Sequence, residues 1–251
     1  MFATYNPATV WANDSSIFFD GVNDFARVDI ASSVSLEAKN DITLSLWFRM
    51  DSFDADFVLW EQTEFSGSND AKQYLWYDVS ERQLKFTRTD FNGNNAATSV
   101  HATPKTAVWK HVVVTVIADA GDMIIYVNGS TSGIVTTASS PGDWVASDTK
   151  QYYGSSSGTA NFYNGHINNT AIWITILTPE SVTGVYNEGY PKNELNNQTS
   201  KLFLYHVGHE KHFDAAGTTQ FSTFSNIEIE DAGIRRLVLS GAIVVSKPND
   251  E

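Results

Sequence analysis

Alternation with period two governs this chain. In ITLSLWFRM (42–50), Ile42, Leu44, Leu46 and Phe48 alternate with Thr43, Ser45, Trp47 and Arg49. Successive side chains of a strand point to opposite faces, so such a segment belongs in a sheet with one face buried. The pattern recurs along the sequence. HVVVTVIA (111–118) and MIIYVNG (123–129) flank a short turn carrying Gly121, and KQYLWYDV (72–79) and RQLKFTRT (82–89) flank Ser80 and Glu81. IFFDGVNDFARVDI (17–30) reads as two short strands around Gly21 and Asn23, joined by hairpin chemistry in which Asp and Asn tolerate positive φ. Further strands are expected at 56–61, 98–102, 133–137, 150–154 and 166–174. Turn residues break the pattern at intervals of roughly 8–12 residues, as in a sandwich or barrel. One segment reads as helix: Thr178 as N-cap, Pro179 at the first helical position, then Ser181 to Asn187 before Gly189.

The fold class read from this pattern is all-β, an antiparallel β-sandwich with one short helix and a small C-terminal β extension. A chain of 251 residues with 42% hydrophobic residues can bury a core of that size. Residues 191–201, PKNELNNQTSK, read as a linker. The expected division is therefore a sandwich over 1–190 and an extension over 191–251, packed on the sandwich or on a neighbouring subunit. Alternation returns in that extension at LFLYHV (202–207), FSTFSNIEIE (221–230) and RRLVLSGAIVVS (235–246).

Charge and cysteine usage narrow the function. The formal net charge is −13, which repels phosphate and argues against nucleic acid as a partner. The same charge could attract Ca²⁺ to acidic loops. There is no cysteine, so disulfides, thiolate zinc sites and cysteine nucleophiles are excluded. The start, MFATYNPATVW, lacks the basic and apolar regions of a secretory signal, and no run reaches the ~20 apolar residues of a membrane helix. The expected setting is synthesis in a cytoplasm, with no membrane partner.

The order of four segments resembles a known family. FFDGVNDFARV (18–28) and ITLSLWFRM (42–50) are followed by WKHVVVTVIADAGDMIIYVNG (109–129) and YNGHINNTAIWITILTPESVTGVYNEG (163–189). Together they resemble a laminin G-like domain of the concanavalin A-like superfamily, related to pentraxins, over roughly residues 15–190. The resemblance implies a jelly roll of two curved antiparallel sheets. It leaves function open, because lectins, glycosidases, adhesins and scaffolds share this fold. The segment after the sandwich, ending near IVVSKP (243–248), resembles virion proteins of tailed phages.

Four candidate sites follow. YHVGHEKHFD (205–214) holds His206, His209 and His212. On a helix they would fan out and rise about 9 Å from first to last. On one strand His206 and His212 share a face about 20 Å apart, with His209 on the other. Only a bent loop could gather all three on one ion, so a solvated or interfacial loop is expected. Asn69 and Asp70, in EFSGSND (64–70), match by position the acidic pair of the pentraxin calcium site. The region matching that site's other cluster, YGSSSGTANFYNG (153–165), has no carboxylate, which leaves at most a single Ca²⁺. Glu228 and Glu230 in IEIED (227–231) share a strand face, as a glycosidase pair would, but also as an acidic edge strand would. Among seven tryptophans and ten tyrosines, Trp144 lies in a loop reading, SSPGDWVASD (139–148), and Tyr152, Tyr153 and Tyr163 flank the neighbouring Ser/Gly-rich loop. That end of the sandwich is the expected ligand-binding surface. Trp47, Trp60, Trp76, Trp109 and Trp173 are expected in strands, mostly core or half-buried.

The expected function is a non-enzymatic virion structural protein, a phage head decoration or tail adhesion module. Its expected partners are other virion proteins and host-surface polysaccharide, and it is expected to be a homo-oligomer with no obligatory cofactor. Two alternatives stay open: a cellular carbohydrate-binding lectin or adhesin, with or without Ca²⁺, and a glycoside hydrolase or lyase.

Overall fold

The computed structural model describes residues 15–30, 41–66, 69–89, 95–101, 105–117, 122–131, 134–137, 149–186, 202–207, 211–214, 223–225, 227–231 and 234–238. Its strands are β1 (Ser15–Asp20), β2 (Phe25–Ile30), β3 (Ile42–Met50), β4 (Phe57–Ser66), β5 (Asn69–Asp78) and β6 (Gln83–Thr89). They continue with β7 (Asn95–His101), β8 (Trp109–Val116), β9 (Met123–Val127), β10 (Ile134–Thr137), β11 (Thr149–Tyr153) and β12 (Asn164–Trp173). Helix α1 (Pro179–Tyr186) follows, then β13 (Leu202–Val207), β14 (Lys211–Asp214), β15 (Thr223–Ser225), β16 (Ile227–Asp231) and β17 (Ile234–Val238).

The strands form two antiparallel sheets. One runs β17-β16-β1-β12-β3-β8-β9, with β13 on the second half of β12 and β14 beyond it. The other runs β10-β7-β6-β5-β4-β11-β2-β15. The segments after residue 191 thus add strands to both sheets, pairing with β1, β2 and β12.

The alternation in the sequence places the core. Ile17, Phe19, Leu44, Leu46, Phe48, Val112 and Val114 of one sheet meet Leu59, Trp60, Leu75, Leu84, Phe86 and Tyr153 of the other. Phe57, Tyr77 and Tyr163 close one end, with Phe57 4.9 Å from the Tyr163 ring and stacked 5.2 Å from Tyr77. The inner face also takes in buried amides. Gln62 Oε1 accepts from Gln73 at 3.2 Å and from Gln151 at 3.4 Å, and the Tyr153 hydroxyl donates to Gln151 at 3.2 Å. Buried polar groups require such partners.

A second apolar layer lies outside the first sheet. Val113, Tyr126, Ala171, Trp173 and Leu177 are covered by Val182 and Val185 of α1. The helix begins as its sequence implies: Thr178 Oγ1 accepts from the Ser181 amide at 3.3 Å, and Pro179 needs no donor there. Glu180 in the first turn is fully exposed. Its carboxyl is held below the usual range by a hydrogen bond to its own amide and one to Thr178, which outweigh a small desolvation.

The turn between β1 and β2 differs from the expected hairpin. Its local chemistry holds: Asp20 Oδ1 accepts from the Val22 amide at 2.7 Å, and Asp24 Oδ2 accepts from the Asp20 amide at 2.8 Å. But β1 pairs with β12 and β2 with β11, in opposite sheets. The turn is a corner that hands the chain from one layer to the other. A sequence reading cannot separate the two, because both need the same tight turn.

Candidate functional site

The outer face of the β10-to-β15 sheet carries the candidate site. Gln73, Leu75 and Tyr77 of β5 are buried on the inner side, so Lys72, Tyr74 and Trp76 fall on the outer side. Register extends them into rows across the sheet. Arg27, Tyr152, Glu61, Tyr74 and Thr87 are successive partners on β2, β11, β4, β5 and β6. Lys150, Thr63, Lys72 and Thr89 form the next row, and Val58, Trp76 and Lys85 the row on the other side. Between them lies a pocket of about 280 Å³ lined by Val58, Glu61, Lys72, Tyr74, Trp76, Thr89, Ser156 and Asn161.

Aromatic rings form one wall, and both are held in place. Tyr74 and Trp76 are half-buried with ring centres 6.2 Å apart. Trp76 Nε1 donates to Thr87 Oγ1 at 3.2 Å, and the Lys85 ammonium lies 5.1 Å from the Trp76 ring centre. Lys85 is in turn fixed by Asp78 at 2.7 Å and Glu81 at 2.9 Å. Burial alone would raise the Asp78 carboxyl. Hydrogen bonds from Lys85, Ser80 and the Glu81 amide outweigh it and hold the group well below the usual carboxylate range. Burial raises the Tyr74 phenol, partly offset by its hydrogen bond with Thr87 and reinforced by the Glu61 charge, so it stays neutral and can exchange hydrogen bonds with a ligand.

The opposite wall is built on a buried carboxylate. Glu61 is 1% exposed, and its oxygens accept from the hydroxyls of Ser156 at 2.8 Å, Ser157 at 2.5 Å and Thr63 at 2.9 Å. Ser156 and Ser157 belong to the Ser/Gly-rich loop after β11. That loop is shaped by positive φ at Gly154, Ser157, Gly158 and Asn161 and pinned by the Gly158 amide on Ser155 Oγ at 3.0 Å. Asn161 is tied back through its carbonyl to the Val58 amide at 3.0 Å. Glu61 therefore fixes the loop that supplies Ser156 and Asn161 to the pocket. Glu61→Ala is expected to lower stability by roughly 2–3 kcal/mol, because three hydroxyls lose a charged acceptor. Urea unfolding measures it.

A polar cluster on the other sheet superficially resembles a catalytic triad. Ser16 Oγ lies 3.0 Å from His166 Nδ1, and Asp51 Oδ2 lies 3.4 Å from His166 Nε2. Arg49 Nη2 is 2.5 Å from the same Nε2. A guanidinium only donates, so Nε2 is the bare, accepting nitrogen and Nδ1 carries the proton toward Ser16. This is the reverse of the polarity a base needs to take a serine proton. Arg49 also lies over Trp109 at 5.8 Å, and the His166 ring packs on Phe18 at 4.9 Å. The cluster ties β1, β12 and β3 together.

With this geometry in view, the family model Laminin_G_3, described as the concanavalin A-like lectin/glucanases superfamily, matches residues 13–183. The chain belongs to that family. Solved structures share the laminin G-like sandwich at low identity, and at that identity the likeness is one of fold. A heptameric SAP-like pentraxin from Limulus polyphemus is 17% identical with TM-score 0.55, over 80% of this chain and 95% of that one. A candidate carbohydrate-binding protein from Bacteroides ovatus is 17% identical with TM-score 0.61, over 90% of this chain and 62% of that one. The Ruminococcus gnavus IT-sialidase CBM40, bound to α2,3 sialyllactose, is 13% identical with TM-score 0.53, over 68% of this chain and 96% of that one. No curated protein matches the sequence.

On this laminin G-like sandwich the residues singled out from the sequence separate. Tyr153 and Tyr163 are fully enclosed in the core, so neither ring offers a face to a ligand at the end of the sandwich. Burial raises both phenols: for Tyr153 against a hydrogen bond with Trp60, and for Tyr163 with the Asp51 charge adding to it. Tyr152 is on the outer face in register with Glu61, 6% exposed and packed on Phe25 at 6.1 Å. Trp144 and His209 lie outside the described residues. Asn69 and Asp70 open β5, in register with Ser66 and Phe65. Glu228 and Glu230 lie on β16, in register with Phe18 and Ser16 of β1. The 20 Å expected between His206 and His212 does not apply, because the chain folds back and makes them register partners of β13 and β14.

The pocket wall of Tyr74, Trp76 and Glu61 was missed in the sequence. Its one signal is the pair Tyr74 and Trp76 at i, i+2 behind Lys72. The other face of the same strand, Leu75 and Tyr77, is equally apolar and masks it.

Proposed function

We infer that this chain is a non-catalytic carbohydrate-binding module whose ligand occupies the pocket on the outer sheet face. The observation that carries the reading is the fixed Tyr74–Trp76 wall opposite the hydroxyl- and amide-bearing loop at Ser156 and Asn161. Aromatic faces cover the apolar faces of a sugar ring, and hydroxyl, amide and ammonium groups meet its hydroxyls. The solved relatives described as carbohydrate-binding support the same class. The non-catalytic reading is supported by Glu61, whose oxygens are engaged by three hydroxyls, and by the reversed polarity of the Ser16–His166 pair.

Binding to a panel of neutral and acidic polysaccharides, by glycan array followed by calorimetry, tests this function. Trp76→Ala is expected to weaken the best ligand about thirtyfold, the loss of roughly 2 kcal/mol expected of an aromatic anchor. No binding across the panel, or binding indifferent to Trp76→Ala and Tyr74→Ala, would sink the assignment. Repeating the measurement with Ca²⁺ and with EDTA tests a calcium role for Asn69 and Asp70. Such a module gains most from many copies, since avidity multiplies weak sugar contacts. The setting proposed is therefore the surface of a phage particle, with self-association and contacts to other virion proteins. The likeness of the C-terminal segment to tailed-phage virion proteins supports it. Peptide mass spectrometry of purified particles would find the chain in many copies, or remove the proposal.

A further inference from the structure

The pocket on the outer sheet face holds a cation that the sheet leaves unsatisfied. Lys72 is half-buried and lines the pocket beside Tyr74 and Trp76. Among the described residues its ammonium has neither an ion-pair nor a hydrogen-bond partner. Lys85, on the next strand and the same face, shows the contrast: it is held by Asp78 at 2.7 Å and Glu81 at 2.9 Å. The chain carries 29 acidic residues against 16 basic ones, so carboxylate partners are plentiful. Glu61, the acidic residue of the same pocket, is on the adjacent strand in register with Tyr74. Both of its oxygens are already engaged, one by Thr63 and Ser157 and the other by Ser156.

The same bonds set the polarity of the opposite wall. The Ser156 hydroxyl donates its only proton to Glu61, so toward the pocket its oxygen can only accept. Lys72 can only donate. A ligand that satisfies both brings a hydroxyl to Ser156 and an acceptor to Lys72. An anionic acceptor makes the stronger, charge-assisted bond. Lys72 and Tyr74 are alternate residues of β5 on one face, about 7 Å apart along the strand. A charge attached directly to a sugar ring seated against Tyr74 and Trp76 is therefore within reach of the ammonium. We propose that the pocket selects an acidic sugar, a pyranose ring bearing a carboxylate, and that Lys72 determines this specificity. The proposal rests on the carbohydrate-binding reading above and narrows it to one class of glycan. The net charge of −13 does not oppose the contact, because charges farther than about 8–10 Å are largely screened by salt.

Calorimetry in about 0.15 M salt tests the preference. The probes are alginate, polygalacturonate and polysialic acid, each compared with its carboxyl-reduced form. Dextran and dextran sulfate serve as neutral and sulfated references. At least one carboxylated polymer is expected to bind, and reduction of its carboxyls to weaken it about tenfold. Lys72→Met should produce the same loss on the native polymer and none on the reduced one, while Lys72→Arg keeps most of the affinity. Trp76→Ala should weaken both forms alike. Thermal melts check that each variant folds, and Lys72→Gln replaces Lys72→Met if it does not. A neutral polymer whose binding needs Trp76 but not Lys72 overturns the acidic preference and leaves the carbohydrate-binding reading standing. Carboxyl reduction without cost, or Lys72-dependent binding confined to dextran sulfate, does the same. Absence of binding to every polymer overturns both.

Discussion

Gly165→Ala is expected to destabilise this protein by roughly 3–5 kcal/mol, the sum of a strained backbone and an overpacked contact. Gly165 has φ +149°, a conformation that L side chains rarely adopt. A Cβ there would lie 2.2 Å from the Arg49 carbonyl oxygen and 2.7 Å from the Tyr163 hydroxyl. Neither neighbour can retreat. Arg49 is in β3, paired with β12 on one side and β8 on the other, and Tyr163 is locked in the core against Phe57 and Phe19. Gly165 itself pairs with Met50 and Phe19 at the centre of the first sheet, so relief requires parting β12 from β3. Gly184 is the internal control. It lies in α1, and a Cβ there meets nothing within 4 Å. Gly184→Ala is expected to stabilise by roughly 0.5–1 kcal/mol, the helix preference of alanine over glycine. Urea midpoints shifting in opposite directions for the two variants would confirm the geometry. A Gly165→Ala protein as stable as the parent would refute it.

Acidification from pH 6.5 toward 3 is expected to cost about 4 kcal/mol of stability through His111 alone. The imidazole is enclosed between Trp47, 4.9 Å away, and Tyr186, 5.9 Å away. Its Nε2 is 2.8 Å from Ser45 Oγ, and its Nδ1 makes no hydrogen bond among the described residues. Burial therefore depresses its pKa from 6.5 to about 3. Above pH 6.5 both folded and unfolded chains carry a neutral imidazole, so the group contributes no pH dependence. Below it the unfolded chain binds a proton that the folded chain refuses, and stability falls at up to about 1.4 kcal/mol per pH unit. Asp78 acts in a separate window. Its depressed carboxyl stabilises the fold above the unfolded value near 3.8, and that contribution is lost only as pH falls below about 4. Urea unfolding between pH 6.5 and 4.5 thus separates His111 from Asp78, and the difference between the parent and a His111 variant isolates it. His111→Phe, which keeps a ring between Trp47 and Tyr186, is expected to flatten the profile by close to one proton. An unchanged slope in that variant would show that the buried imidazole is not the titrating group.

How much of this was legible beforehand depends on the range of the interaction. The strands were readable because burial on one face of a sheet writes itself as alternation: ITLSLWFRM is β3 from its first residue to its last. The helix start was readable because capping is local to Thr178, Pro179 and Ser181. The site was not. KQYLWYDV alternates with two equally apolar faces, so Leu75 and Tyr77 compete with Tyr74 and Trp76 for the core. Only the opposite sheet, packing on Leu75, decides that Tyr74 and Trp76 face outward. Likewise LWEQTE does not show that Glu61 is buried. Ser156 and Ser157, about a hundred residues away, bring the hydroxyls that make its burial tolerable.

The tyrosines of the Ser/Gly-rich segment show the same division. By composition Tyr153 and Tyr163 look like a binding surface, yet both fill the space between the sheets. YHVGHEKHFD gives three histidines at equal spacing, and only the pairing of β13 with β14 makes His206 and His212 register partners. The sequence by itself determined the periodicity, and with it the sandwich, because side-chain direction along a strand is set by the backbone. Which face looks inward, and which distant residues meet, was decided only by the tertiary structure. Those outcomes depend on how two sheets pack and where each strand finds its partner, and no local pattern encodes either.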